Sequence, residues 1–126
     1  MRPRLEATSV SISSPRPPEL AAFYARLLGV AVAASEPGWA QLRPEPGRLR
    51  MTLNFELDEL HTPPTWPSVP GAQQPQAHLD VWVDDLDAAE RWAHHCGATT
   101  HPHQPQTDVR VLLDPHGHPF CLFTAH

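Results

Sequence analysis

Residues 78–98, H-L-D-V-W-V-D-D-L-D-A-A-E-R-W-A-H-H-C-G-A, compress a strand, a turn and a helix into one short stretch. His78, Asp80 and Trp82 alternate with Leu79, Val81 and Val83, and a period of two sends the two sets to opposite faces of a strand. The leucine and valine set is a core face. The other set carries an imidazole, a carboxylate and an indole, a mixture costly in an ordinary core but suited to the wall of a small-molecule pocket. Asp84 and Asp85 then offer capping carboxylates, Leu86, Ala89 and Trp92 or Ala93 recur at helical spacing, and Gly97 ends the helix.

The rest of the chain repeats this plan. Residues 8–13 predict a half-polar strand, with Val10 and Ile12 on one face and Ser9, Ser11 and Ser13 on the other. Pro18 and Glu19 suit the first turn of a helix with apolar Leu20, Phe23, Tyr24, Leu27 and Leu28, closed by Gly29. Strands are expected at 30–34, 39–43 and 48–57. Residues 61–76 hold five prolines and no periodicity, which reads as linker with Trp66 as its anchor. After 78–98, a short strand around 98–101 and strands at 109–113 and 120–124 are expected, the last two joined by a turn over 114–119. Laying Gly29 on Gly97 matches Tyr24 with Trp92, Ala25 with Ala93 and Glu19 with Asp87. The expected fold is therefore α+β: two βαβββ modules whose curved mixed sheets face a common cavity, with the helices outside. A chain of 126 residues suits one domain, with module one at about 6–57, a Pro-rich linker at about 58–76 and module two at about 77–126.

Charge narrows the partners. A net charge of -5 disfavours nucleic acid and an anionic membrane, both of which select a basic face. No apolar run approaches a membrane span, M-R-P-R-L is not followed by a signal-peptide core, and the cytoplasm is the expected compartment. Cys96 and Cys121 make no disulfide framework. The 16 prolines imply short elements with stiff connections.

Four motifs, F-Y-A-R-L-L-G at 23–29, H-L-D-V-W-V-D-D-L-D-A-A-E at 78–90, G-A at 97–98 and D-P-H-G-H-P-F at 114–120, resemble the vicinal oxygen chelate superfamily, in particular its glyoxalase-like and bleomycin-resistance-like domains. The resemblance spans about residues 8–123 and implies the paired βαβββ fold. It also implies where a metal would sit: a His or Gln on the first strand of each module and a Glu on the last. His78 fits its place, but Ser9 or a neighbour, Asn54 and Cys121 stand at the other three. Manganese, nickel and iron favour carboxylates and several imidazoles. Zinc accepts His78 and Cys121, yet two ligands are one short of tight binding. Glu56 is a further carboxylate, and which face of the 48–57 strand looks inward stays open.

The expected site is a cavity without the usual metal, lined by Ser9, Ser11, Asn54, His78, Asp80, Trp82, Cys121 and Phe123. No cofactor is expected, a divalent metal being the lesser alternative. The expected function is binding or sequestering a small organic ligand. The alternative is a lyase, isomerase or dioxygenase-type enzyme, with His78 as base and Asp80 orienting it, or with His78 as a residual metal ligand. Family members pair, so the resemblance also implies a homodimer as a candidate assembly. Cys121, among apolar neighbours, reads as an inert buried thiol, and the other histidines read as surface residues.

Overall fold

The computed structural model describes residues 1–124; positions 125 and 126, the end of the expected second module, lie outside them. The chain divides into two units, 1–59 and 60–126. Each is a βαβββ module with a four-stranded mixed sheet.

The first unit contains β1 (Ser9–Ser14), α1 (Pro17–Leu28), β2 (Val32–Glu36), β3 (Trp39–Leu42) and β4 (Thr52–Leu57), in sheet order β1-β4-β3-β2. β1 and β4 run parallel and the other pairs antiparallel. Prolines at the helix start need no N–H partner, and the Ser14 hydroxyl accepts the Arg16 N–H at 2.9 Å just before it. Gly29, at φ 72°, closes the helix. One face of α1 buries Leu20, Phe23 and Tyr24 against the sheet, where the Tyr24 and Phe55 rings stack at 5.8 Å. Ala40, Leu42 and Leu53 are fully buried with them.

Two strands differ from expectation at their starts. β2 begins at Val32 because the Val30 N–H is still bonded to the Ala25 carbonyl at the helix end. β4 begins at Thr52 because residues 45–49 fold into a separate turn, with Glu45 and Leu49 bridged and Gly47 at φ 76°. That turn is tied back to the helix end, the Glu45 carboxylate accepting the Ala31 N–H at 3.1 Å and the Arg48 guanidinium donating to the Gly29 carbonyl.

The second unit repeats the plan with β5 (Leu79–Trp82), α2 (Leu86–Cys96), β6 (Thr99–Thr100), β7 (Val109–Leu113) and β8 (Pro119–Phe123), in order β5-β8-β7-β6. The Asp85 carboxylate caps α2 by accepting the Ala88 N–H at 3.0 Å, and Gly97 ends it. The helix lies over the sheet face that carries Arg110, whose guanidinium reaches Glu90 at 3.4 Å and Asp87 at 3.7 Å. Ala93 and Cys96 are its buried residues, while Trp92 is half exposed and stacks on His95. Beyond two-residue β6, the Gln104 side chain completes the outer rung of β7, accepting the Val111 N–H at 2.9 Å and donating to the Val111 and His101 carbonyls at 2.7 Å.

The Pro-rich segment is more than a linker. Thr65 bonds to the Gln73 carbonyl through both its N–H and its hydroxyl, which closes a loop. His61 meets the His116 carbonyl at 2.9 Å and packs on the His118 ring, and Pro63 sits against Gly117. The expectation that His116 and His118 are surface residues is corrected here. His116 is buried, and His118 pairs at 2.8 Å with Asp114, a buried carboxylate that also accepts the N–H groups of both histidines. Both cysteines are free and buried. Among the described residues no helix is long and apolar enough to cross a membrane.

Candidate functional site

The site is built on β5 and β8. Parallel pairing sets Asp80 beside Cys121 and Trp82 beside Phe123, and alternation puts these four, with His78, on the sheet face away from α2. The His78 Nε2 lies 3.2 Å from an Asp80 carboxylate oxygen. Donor atoms of His78, Asp80 and Cys121 all lie within 4.8 Å of one another. Trp82 and Phe123 occupy the next rung, the indole 52 % exposed.

Exposure differs within this group and sets its chemistry. The His78 and Asp80 side chains are open to solvent, whereas Cys121 is buried beside them. Burial, and secondarily the Asp80 charge, push the Cys121 thiol above the usual cysteine range. That shift favours the protonated thiol over the thiolate. A neutral imidazole held by a carboxylate can accept a proton or orient a ligand, and an exposed indole offers a flat surface for stacking or for a cation.

The expected residues of the first unit form their own group. Ser9 pairs in register with Thr52 and Ser11 with Asn54, whose side-chain oxygen accepts a bond from the Gln41 amide at 3.0 Å. The Tyr24–Phe55 stack fixes the helix side of β4. Thr52, Asn54 and Glu56 therefore share the face away from α1.

Trp66 joins the site from the Pro-rich loop, its indole meeting the His78 ring edge-on at 5.5 Å. Its indole nitrogen is buried without a hydrogen-bond partner among the described residues. The one sequence signal for Trp66 was a lone aromatic among prolines, and nothing local told where it docks. The approach of Asp80 to Cys121 likewise appears only with the strand register.

The donor chemistry tests the metal expectation. The second module supplies one imidazole, one carboxylate and one thiol, a poor set for the carboxylate-rich centres that manganese or iron favour. It does fit zinc, for which Asp80 is the third donor that His78 and Cys121 lacked.

Residues 9–123 match the family model described as a glyoxalase-like domain. A glyoxalase/bleomycin resistance protein/dioxygenase family enzyme from Burkholderia phytofirmans PsJN is similar in structure, with TM-score 0.69 and 20 % identity over 94 % of this chain and 98 % of that one. A glyoxalase/bleomycin resistance protein from Albidiferax ferrireducens T118 has TM-score 0.62 and 18 % identity over 95 % and 98 % of the two chains. A lactoylglutathione lyase from Agrobacterium tumefaciens has TM-score 0.63 and 13 % identity over 98 % and 96 %. At these identities the likeness is one of fold. No curated protein matches the chain.

Proposed function

The chain belongs to the glyoxalase-like domain family, and from that premise we propose that it binds a small organic molecule on the face of β5 and β8 away from α2. His78 and Asp80 are the polar anchors and Trp82 is the aromatic wall. The observation that carries this reading is a paired imidazole and carboxylate sharing one strand face with a half-exposed indole. The exposed half of the indole forgoes burial worth roughly 1 kcal/mol, and a flat ligand recovers part of that by stacking.

The test is a thermal-shift screen of small planar organic compounds, repeated on Trp82→Ala and His78→Ala. Stabilisation should shrink strongly in Trp82→Ala and modestly in His78→Ala. Hits that stabilise the variants as well as the parent protein would place binding elsewhere.

The His78–Asp80 contact at 3.2 Å also supports a second reading, acid–base catalysis with His78 as base. The two readings separate on His78→Ala. A binding protein keeps most of its affinity, whereas an enzyme keeps its substrate and loses most of its rate.

A further inference from the structure

Three side chains of different chemistry meet at one point of the second module, and among the described residues they are the one such group of three or more ligating side chains. The backbone explains why. His78 and Asp80 are two apart across a single strand pleat, and Cys121 faces Asp80 across a parallel pair, where neighbouring strands lie about 4.8 Å apart. Three donors brought this close by regular strand geometry need only side-chain rotation to converge further. The histidine pairs in H-P-H, H-G-H and H-H are tied up differently: His101 accepts the His103 N–H, His118 holds Asp114, and His94 meets Thr100.

We infer that His78, Asp80 and Cys121 form a zinc(II) site contained within the second module. The set differs from the one the family resemblance implies. A thiol stands on β8 in place of a carboxylate, and Asp80 is added from β5. Zinc takes nitrogen, sulfur and oxygen donors together, and three protein ligands leave it one coordination position for water or an organic oxygen or nitrogen. Manganese and magnesium, which prefer oxygen, should not compete well at a thiolate. On binding, the Cys121 S–H bond breaks, a zinc–sulfur bond forms and the proton leaves to solvent. The Asp80 carboxylate enters as it is, and His78 binds as neutral imidazole, its proton on the ring nitrogen that does not bind. Trp66, packed edge-on against His78, restrains the imidazole plane.

This deepens the reading of the β5–β8 face as the binding site and rests on it, but its test uses the metal alone, so either can fail without the other. Untagged full-length protein is titrated with cobalt(II) and then zinc(II) under reducing conditions. The expected result is one cobalt per chain with a thiolate-to-cobalt charge-transfer band in the near ultraviolet, bleached by stoichiometric zinc. Cys121→Ser should abolish the band, and Asp80→Asn and His78→Ala should weaken zinc binding at least tenfold. Circular dichroism on each variant establishes that it is folded, and the two exposed positions keep the test alive if Cys121→Ser is not. Absence of the band in the parent protein overturns the site. So does its persistence in Cys121→Ser, or equal zinc affinity in parent and His78→Ala. Organic-ligand binding that survives such a result would leave the proposed function standing.

Discussion

Tyr24 in the first module and Trp92 in the second hold matching places in the repeat, each five residues before the glycine that ends its helix. Tyr24 is 1 % exposed and Trp92 is 48 % exposed. The small residue after each, Ala25 and Ala93, is buried in both. The two helices thus share one narrow contact line, and α1 buries a second line, Leu20, Phe23 and Tyr24, that α2 does not. In the second module Ala88, Arg91 and Trp92 stand at those places, and the helix is instead moored by Arg110 to Glu90 and Asp87. The sheet of the second module still buries Leu112, Phe120 and Leu122, so the difference lies in how the helices are held: α1 by a wide aromatic face, α2 by a narrow one with ionic supports.

Phe55→Ala and Trp92→Ala probe that difference most strongly. Removing the fully buried Phe55 ring should cost about 3–5 kcal/mol in urea unfolding, whereas Trp92→Ala should cost no more than about 1 kcal/mol. Similar losses would mean that the second helix depends on its outer aromatic after all. A glycine pair sharpens the role of the loop. Gly47 and Gly117 both have positive φ, but a side chain at Gly47 meets nothing within 4 Å, while one at Gly117 would come within 2.6 Å of Pro63. Gly47→Ala should cost roughly 1–2 kcal/mol for the backbone alone, and Gly117→Ala clearly more, because it also pries the Pro-rich loop from the final turn. Equal melting temperatures for the two would show that the loop contributes nothing to stability. Arg110→Met, which keeps the apolar stem and deletes the charge, should lose about 1 kcal/mol in the second module.

The smallest effect is on pH dependence. The native Cys121 thiol ionises above the usual cysteine range, so the unfolded chain gives up its proton first as pH rises. Stability should hold below the ordinary cysteine pKa, decline above it, and stop declining once the native thiol also ionises. Cys121→Ser should flatten this alkaline limb in unfolding measurements. Asp80→Asn, which removes the lesser cause, should speed alkylation of Cys121 modestly, followed site by site by peptide mass spectrometry.

Local physics made most of the fold legible. Period-two alternation marked β1 and β5, the Asp85 carboxylate and the closing glycines marked the helix ends, and the repeated order of elements implied the paired modules and the α+β class. The site was legible only to the depth of a strand. Alternation put His78, Asp80 and Trp82 together, but Asp80 meets Cys121 through a register set about forty residues away. The Pro-rich segment misled for a related reason. Prolines erase periodicity, so its anchors on Gly117, His116 and His78 left no local trace. The burial of His116 followed from Asp114, whose carboxylate gathers the turn's N–H groups inward.

The Gln104 amide has a consequence at the border of the second sheet. β6 covers only two rungs of β7, and although the His101 N–H still reaches the Val111 carbonyl at 3.0 Å, the Val111 N–H would otherwise stand open, the kind of ledge onto which a strand from another molecule can add. By accepting the Val111 N–H and adding a second donor to its carbonyl, one side chain completes the rung that β6 leaves unfinished. Gln104→Ala should uncover that N–H and register first as increased light scattering at high concentration.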